Sequence, residues 1–118
     1  MALVKLPVIA DESCVSLADV PRLAGVADGV NIKLAKCGGL REAHRIVATA
    51  RAHGLLVMAG CMVETSLGIT AAAHLAPLLD YADLDGAALL ADDPVRGATI
   101  ARGEIAIPTA PGLGAEPA

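Results

Sequence analysis

The chain has 118 residues, of which 55% are hydrophobic, and a formal net charge of −4 at pH 7. This composition favours one small folded domain over a disordered chain. The acidic balance and the lack of a Lys/Arg cluster disfavour nucleic-acid binding. Because Tyr81 is the only aromatic residue, the core has to be built from aliphatic side chains.

The cysteines and histidines do not indicate a disulfide framework or a zinc site, since neither set has the short paired spacings of such sites. These residues are Cys14, Cys37, Cys61, His44, His53 and His74. No apolar run reaches the length of a membrane span, and the N-terminus lacks the pattern of a signal peptide. We therefore expect a soluble, cytoplasmic protein that binds neither membranes nor nucleic acid.

Four short apolar runs alternate with segments of helical periodicity. The predicted strands are 6–10, 28–35, 55–59 and 81–85, and the predicted helices are 16–25, 40–53 and 65–79. Strands and helices that alternate at this spacing predict a right-handed parallel βα array of class α/β. After residue 86 the pattern changes to a predicted hairpin over 99–107 and an extended tail over 108–118, which is rich in Pro and Gly.

The most informative stretch is Asn31-Ile32-Lys33-Leu34-Ala35-Lys36-Cys37-Gly38-Gly39. Parallel strands are normally apolar on both faces, so the mid-strand Lys33 needs a reason. It either points into a polar barrel interior or pairs with a carboxylate, for which Ala10-Asp11-Glu12-Ser13 offers the nearest candidates. A third possibility is that the side chain extends to the rim while its stem covers apolar surface.

Five motifs, in this order, resemble the C-terminal part of the enolase superfamily. Besides the two stretches just quoted, they are Gly60-Cys61-Met62-Val63-Glu64-Thr65, Asp83-Leu84-Asp85-Gly86 and Pro111-Gly112-Leu113-Gly114. The closest similarity is to the mandelate racemase/muconate lactonizing enzyme group, and within it to dipeptide (L-Ala-D/L-Glu) epimerases.

The resemblance implies the C-terminal half of a (β/α)7β TIM-like barrel. Residues 1–86 would supply barrel strands five to eight as four parallel βα-type units. Residues 87–118 would form a hairpin and tail belonging to the capping domain.

The resemblance also implies roles for individual residues. Asp11 would be the third of three carboxylate ligands to Mg²⁺, and Lys33 one of two acid/base lysines at the substrate Cα. Asp83 and Asp85 would hold the ammonium group of a dipeptide, although a solvated acidic strand end explains them equally well. The resemblance further implies that Cys61, Met62 and Glu64 contact the substrate. Glu12 and Lys36 would lie next to the groups that bind the metal and transfer the proton. Glu64 alternatively caps the following helix.

Chemistry supports these assignments, because a proton α to a carboxylate is too weakly acidic for a free amine to remove. A divalent cation on the carboxylate oxygens stabilises the resulting enolate, and hard oxygen ligands such as Asp11 suit Mg²⁺. The implied reaction is a 1,1-proton transfer on a dipeptide. Muconate cycloisomerisation and N-acylamino acid racemisation are alternatives, and so is a truncated, non-catalytic fragment that self-associates.

In the family order, the second lysine and the other two metal ligands precede the first predicted strand of this chain. We therefore expect that the chain by itself is inactive. We also expect that a second copy, as a homo-oligomer, or a separate chain completes the barrel, since open strand edges invite pairing.

Overall fold

The computed structural model of the protein describes residues 6–118. The first five residues of the segment predicted as a partial barrel therefore lie outside the described residues, and the division into 1–86 and 87–118 stays a prediction.

Four parallel strands form one sheet, which confirms the predicted α/β class. They are β1 (Ile9–Ala10), β2 (Gly29–Ile32), β3 (Leu56–Ala59) and β4 (Tyr81–Ala82), and they lie side by side in chain order. Each neighbouring pair is parallel. β1 and β4 are thus the two edges of this sheet, and each has a neighbouring strand on one side among the described residues.

Helices and single 3-10 turns connect the strands. The α-helices are α1 (Val20–Leu23), α2 (Leu34–Cys37), α3 (Leu40–Ala52) and α4 (Ser66–Ala73), and the 3-10 turns are Leu17–Asp19, Ala76–Leu78 and Gly86–Leu89. The predicted helix over 40–53 agrees closely with α3, whose buried residues recur at helical spacing,. Gly38 and Gly39, with φ of 90° and 114°, make the turn between α2 and α3,.

Two predicted strands are longer than the structure allows. The strand over 28–35 ends at Ile32, because the carbonyl of Lys33 already accepts hydrogen bonds from the amides of Lys36 and Cys37 and starts α2. The strand over 81–85 ends at Ala82, and the chain enters a 3-10 turn after Asp85. In both places the alternating pattern continues beyond the hydrogen-bonded ladder.

Three other predicted boundaries differ in the same way. The strand over 6–10 is regular only at Ile9–Ala10, and the helix over 16–25 is a 3-10 turn followed by the short α1. The helix over 65–79 ends at Ala73 and continues as a 3-10 turn that contains Pro77, which lacks a backbone donor for a longer helix,.

The core lies on the outer face of the sheet, between the strands and the helices. Val30, Ile32 and Val57 point to this side and are fully buried against α3. A second cluster joins β3 and α4 to residues 87–118, which we call the C-terminal arm, through buried residues such as Ile69, Leu84 and Ala98. The alternate positions of the same strands, including Asn31 and Met58, therefore face the opposite, inner side.

The C-terminal arm contains the predicted hairpin, in which β6 (Thr99–Ala101) pairs with β7 (Glu104–Ala106). Within the predicted extended tail, β8 (Glu116–Pro117) pairs antiparallel with β5 (Val95–Arg96). The buried hydroxyl of Thr70 fixes the arm to α4 by accepting a hydrogen bond from the amide of Ala98 at 2.7 Å.

Across residues 6–118, no helix has both the length and the apolar character needed to cross a membrane. The longest helix described is α3, with 13 residues.

Asp80 connects the loop before β4 to β3 and α3 through hydrogen bonds. Its Oδ2 accepts hydrogen bonds from the Val57 amide at 2.7 Å and from Arg51 Nη1 at 2.6 Å. The bond from Val57, together with that from Arg51, holds the pKa of the Asp80 carboxyl below its ordinary value,. The charged form of Asp80 therefore stabilises the folded state.

We expect Asp80→Asn to lower the free energy of unfolding at pH 7 and to have a shrinking effect as the pH falls below about 4, the ordinary aspartate pKa. A carboxyl group whose pKa is lowered on folding stabilises the fold above its unfolded pKa, and this contribution is lost as the pH falls through the folded pKa. Urea denaturation between pH 3 and pH 7 measures the difference. Asp92→Asn, at an exposed turn residue, is the control, and equal pH profiles for both variants would contradict the prediction.

Candidate active site

Four charged side chains come together at the carboxyl ends of β1 and β2. Asp11 and Glu12 follow β1 directly, Lys33 follows β2, and Lys36 lies one turn further on in α2. Parallel strands end at the same edge of a sheet, so these distant parts of the sequence become neighbours. We call these four residues the ion-pair cluster.

Lys33 is held at the point where a strand becomes a helix. Its backbone is still extended, with φ −118° and ψ 118°, but its carbonyl accepts hydrogen bonds from the amides of Lys36 and Cys37 at 2.9 and 3.0 Å. Lys33 is therefore the N-cap residue of α2, and the strand and the helix together fix its position.

The two lysines pair with both oxygens of one carboxylate. Lys33 Nζ lies 2.9 Å from Asp11 Oδ2 and 3.5 Å from Glu12 Oε1. Lys36 Nζ lies 3.3 Å from Asp11 Oδ1 and also donates to the Asp11 carbonyl oxygen at 3.0 Å. Only 12% of the Lys33 side chain is exposed. The structure thus brings Asp11, Glu12, Lys33 and Lys36 into direct contact.

The electrostatics follow from this pairing. The hydrogen bond to Asp11 raises the pKa of Lys33 above its ordinary value, although partial burial opposes the rise. Burial alone raises the pKa of Asp11, but the hydrogen bonds from Lys33 and Lys36 outweigh it and the net pKa is lowered,. At neutral pH, Lys33 therefore carries its proton, and Asp11 is ionised, which is the form that binds cations.

A second group of site residues lies at the carboxyl ends of β3 and β4. Asp83 and Asp85 are exposed, whereas Leu84 between them is buried, so both carboxylates lie on the open side. A depression of about 240 Å³ lies beside them. The residues that line it are Cys61, Met62, Val63, Asp83, Asp85, Gly86 and Leu89. We call this place the acidic depression.

Glu64 stands next to the acidic depression. Its Oε1 accepts a hydrogen bond from the Met62 amide at 3.1 Å. The N-cap residue of α4 is Thr65. The carboxylate therefore braces the loop after β3 and does not take the N-cap position of α4.

Cys61 forms the floor between β3 and the 3-10 turn after β4. Its Sγ accepts a hydrogen bond from the Gly86 amide at 3.3 Å. Burial raises the pKa of the Cys61 thiol, which the hydrogen bond from Gly86 offsets only in part, and the carboxylates of Asp83, Glu64 and Asp85 raise it further. The thiol is therefore protonated at neutral pH and is a weak nucleophile.

Backbone hydrogen bonds join the two groups along one edge of the sheet. The Gly60 amide donates to the Ile32 carbonyl at 2.9 Å, and the Asp83 amide donates to the Ala59 carbonyl at 2.9 Å. The ion-pair cluster and the acidic depression thus follow successive strand ends at the same edge.

Asn31 is a buried polar residue of this region that was not among the predicted site residues. It is 5% exposed, and its Oδ1 is buried without a hydrogen-bond partner within residues 6–118. Its carboxamide lies against Gly60, where a side chain would not fit: a Cβ at position 60 would come within 2.6 Å of Asn31 Nδ2. The available signal was an amide in an apolar strand, two residues before Lys33.

Asp11 is the residue of this region that the sequence predicted as a Mg²⁺ ligand. Asp11 offers the hard oxygen atoms that this ion prefers. Within the part of the chain that the structure describes, no three His, Cys, Asp or Glu side chains are grouped closely enough to hold a metal ion. The described residues therefore do not form a metal site by themselves, and Asp11 offers one carboxylate of the type that Mg²⁺ prefers.

Comparisons with known proteins give one consistent result. The family described as enolase C-terminal domain-like matches residues 2–118. The L-Ala-D/L-Glu epimerase from Bacteroides thetaiotaomicron is 49% identical over 109 residues, which cover 92% of this chain and 28% of that protein.

Two solved structures of dipeptide epimerases are similar throughout the chain. The L-Ala-D/L-Glu epimerase from Bacillus subtilis, solved with a bound substrate, has a TM-score of 0.87 at 39% identity, over 95% of this chain and 33% of that one. The dipeptide epimerase from Cytophaga hutchinsonii, solved with Mg and D-Ala-L-Val, has a TM-score of 0.87 at 37% identity, over 97% of this chain and 33% of that one. The chain thus spans about a third of the length of these relatives.

The contact between Asn31 and Gly60 gives a testable consequence. We expect Gly60→Ala to destabilise the fold by about 1–3 kcal/mol, because the added methyl group overlaps the Asn31 carboxamide in a packed region. Asn31→Ala should remove most of this penalty, so the double variant should be more stable than the sum of the two single effects predicts. Urea denaturation of all four proteins measures the coupling, and strictly additive effects would show that the contact does not matter.

Proposed function

Because the chain belongs to the enolase C-terminal domain-like family, we propose that it forms the C-terminal part of a Mg²⁺-dependent dipeptide epimerase. In this proposal the enzyme moves the proton on the Cα next to a dipeptide carboxylate. The observation that carries the proposal is the contact between Lys33 and Asp11 at the carboxyl ends of neighbouring strands. This contact brings a lysine ammonium group next to an aspartate carboxylate, and the proposed proton transfer uses both kinds of group.

Lys33 acts as one of the two acid/base lysines. Its side chain is largely buried at the end of β2, at the same edge of the sheet as Asp11. Paired with Asp11 it is protonated, so in this state it can donate a proton to one face of a planar carbanion,. The other face requires a second group, which lies outside the third of the family that this chain matches.

Asp11 provides one ligand for Mg²⁺, with Glu12 beside it. When bound, the cation withdraws charge from the substrate carboxylate and so makes the adjacent Cα proton more acidic. Lys36 holds the Asp11 carbonyl and one carboxylate oxygen, and so orients the ligand.

The acidic depression supports a substrate with a free ammonium group. Asp83 and Asp85 expose two carboxylates on the same side, and apolar atoms of Met62 lie beside them. A dipeptide has both an ammonium group and an apolar or polar side chain near its amino end. This arrangement favours a dipeptide over muconate or an N-acylamino acid, because neither of these has a positively charged ammonium group.

Completion of the barrel is part of the proposal. The chain spans about a third of its relatives, and a second lysine and two further metal ligands have to come from another polypeptide segment. We therefore propose that the 118-residue chain by itself does not catalyse epimerisation.

Lys33 can be tested in a chimera in which this chain replaces the matching C-terminal third of the Bacteroides thetaiotaomicron epimerase. With Mg²⁺ in D₂O, we expect L-Ala-L-Glu to epimerise to L-Ala-D-Glu with deuterium at Cα of the Glu residue. Because epimerisation needs an acid/base group on each face of Cα, Lys33→Ala should reduce its rate by about 10²–10⁴-fold, which is the usual contribution of a general acid or base. Arg41→Ala, at an exposed position of α3, is the control. A folded Lys33→Ala chimera with an unchanged rate of epimerisation would exclude the proposed role.

The substrate class can be tested separately with the same chimera. We expect Asp83→Asn and Asp85→Asn each to raise KM for L-Ala-L-Glu by about 10–100-fold, in line with the 1.5–3 kcal/mol of a hydrogen bond to a charged group. N-acetylated L-Ala-L-Glu, which has no ammonium group, should be a poor substrate whose KM these substitutions do not change. Equal turnover of both compounds would instead favour an N-acylamino acid racemase.

A further inference from the structure

Asn31 is the polar side chain of β2, and the function proposed above gives it no role. Only 5% of it is exposed, and its Oδ1 is enclosed without a hydrogen-bond partner within residues 6–118. A buried acceptor without a partner is destabilising, because it has lost its hydrogen bonds to water. Such an atom in a folded protein calls for a physical reason.

The Asn31 carboxamide leans toward the carboxyl end of the sheet. In the register of the ladder Asn31 lies opposite Met58, yet its carboxamide lies against Gly60, two residues further along the chain. The Gly60 amide donates to the Ile32 carbonyl, so Gly60 follows the last ladder pair and lies level with Lys33. Because Gly60 has no Cβ, it leaves the space that the carboxamide occupies.

Lys33 is a strong hydrogen-bond donor on the same face of the same strand. Its backbone is still extended, so its side chain leaves β2 on the side of Asn31, and the two Cα atoms are about 6–7 Å apart. The ammonium group contacts Asp11 at 2.9 Å, on the β1 side, whereas the Asn31 carboxamide lies on the β3 side, against Gly60. The flexible stem of a lysine can place the ammonium group on either side.

The proposed function requires Lys33 to leave Asp11. When Asp11 serves as a cation ligand, its carboxylate oxygens are no longer available to the lysine. The acidic depression, where the substrate ammonium group is proposed to bind, lies at the ends of β3 and β4. The Lys33 ammonium group therefore has to turn from the β1 side toward the β3 side. A largely buried ammonium group needs an acceptor there as well, and Asn31 Oδ1 is an acceptor without a partner.

We propose that Asn31 is a positioning residue for Lys33, an inference that rests on the proposed function. Its Oδ1 accepts a hydrogen bond from the Lys33 ammonium group when that group turns away from Asp11, and so holds Nζ on the side of the substrate Cα. A neutral carboxamide binds the ammonium group less tightly than a carboxylate does, so the lysine stays free to transfer its proton. In the structure Lys33 is paired with Asp11, which explains why Oδ1 has no partner.

The first experiment needs neither metal nor substrate. Urea denaturation measures the effect of Asn31→Leu in the wild-type chain and in the Asp11→Ala variant. In the wild type, leucine replaces an unpaired acceptor with an apolar group of similar shape, so the denaturation midpoint should stay unchanged or rise.

In the Asp11→Ala variant the effect of Asn31→Leu should have the opposite sign. Lys33 then keeps only Glu12, which is 81% exposed and 3.5 Å away, and turns to Asn31. Removal of the carboxamide leaves the ammonium group without this acceptor, so the midpoint should fall. The change of sign between the two backgrounds is the coupling that the proposal predicts.

The second experiment uses the chimera and follows exchange of the Cα hydrogen of the Glu residue in D₂O, separately for L-Ala-L-Glu and L-Ala-D-Glu. The two epimers present this hydrogen on opposite faces, so Lys33→Ala identifies the epimer that faces position 33. Asn31→Leu should slow exchange of that epimer by about 10–100-fold, the usual contribution of a hydrogen bond to a charged group. Exchange of the other epimer and both KM values should not change.

Met58→Leu is the matched control for the second experiment. It changes the ladder partner of Asn31 and conserves volume without adding or removing a hydrogen-bonding amide. Exchange of both epimers should be the same as in the unsubstituted chimera.

Three results would overturn the inference. An Asn31→Leu substitution that lowers the midpoint equally in both backgrounds would show a purely structural role. Equal slowing of both epimers would show that Asn31 does not act through Lys33, and a raised KM without selective slowing would show direct contact with the substrate. Failure of the proposed function is a different result, in which the unsubstituted chimera exchanges neither epimer. The denaturation experiment then still decides whether Asn31 is an acceptor for Lys33.

Discussion

The parallel ladder from β1 to β4 is the constraint on which the rest of the structure depends. Its common direction brings all four carboxyl ends to one edge, where the charged residues collect. Its period of two divides each strand into an outer set, such as Val30 and Ile32, and an inner set, such as Asn31. The outer set builds the core and the inner set faces away from it, so one backbone pattern decides which side chains pack against the helices.

The ion-pair cluster shows how the inner set is accommodated. A largely buried lysine requires a partner, since an unpaired charge away from water is strongly destabilising. Asp11 and Glu12 provide that partner for Lys33, and Lys36 balances the second carboxylate oxygen of Asp11. The ion pair that stabilises the charge of Lys33 also uses the carboxylate oxygens of Asp11. A cation that binds Asp11 would therefore have to compete with the ammonium groups of Lys33 and Lys36.

The sequence predicted much of this arrangement because its strongest signals are local. The helix α3 was recognisable from its apolar periodicity, and Lys33 from its unusual place in an apolar strand. The predicted ends of β2 and β4 were too late, because the alternation of apolar and polar residues continues through Leu34 and Leu84, beyond the regular strands. The pairing of β5 with β8 and the contact of Asn31 with Gly60 join segments that are distant in the sequence. A two-residue strand or a single amide has no local sequence pattern from which such contacts can be predicted.

The core of the outer face also bears on why an ion pair is present at all. Ile46, Val57 and Ile69 are fully buried without help from the inner face, so the sheet and its helices do not need a charged residue at the end of β2 for their packing. The Asp11 side chain is 35% exposed, so its ion pair with Lys33 is only partly buried, and partly exposed pairs contribute little to stability. The packing of the outer face therefore does not depend on this pair, which leaves positions 11 and 33 free for the function proposed above.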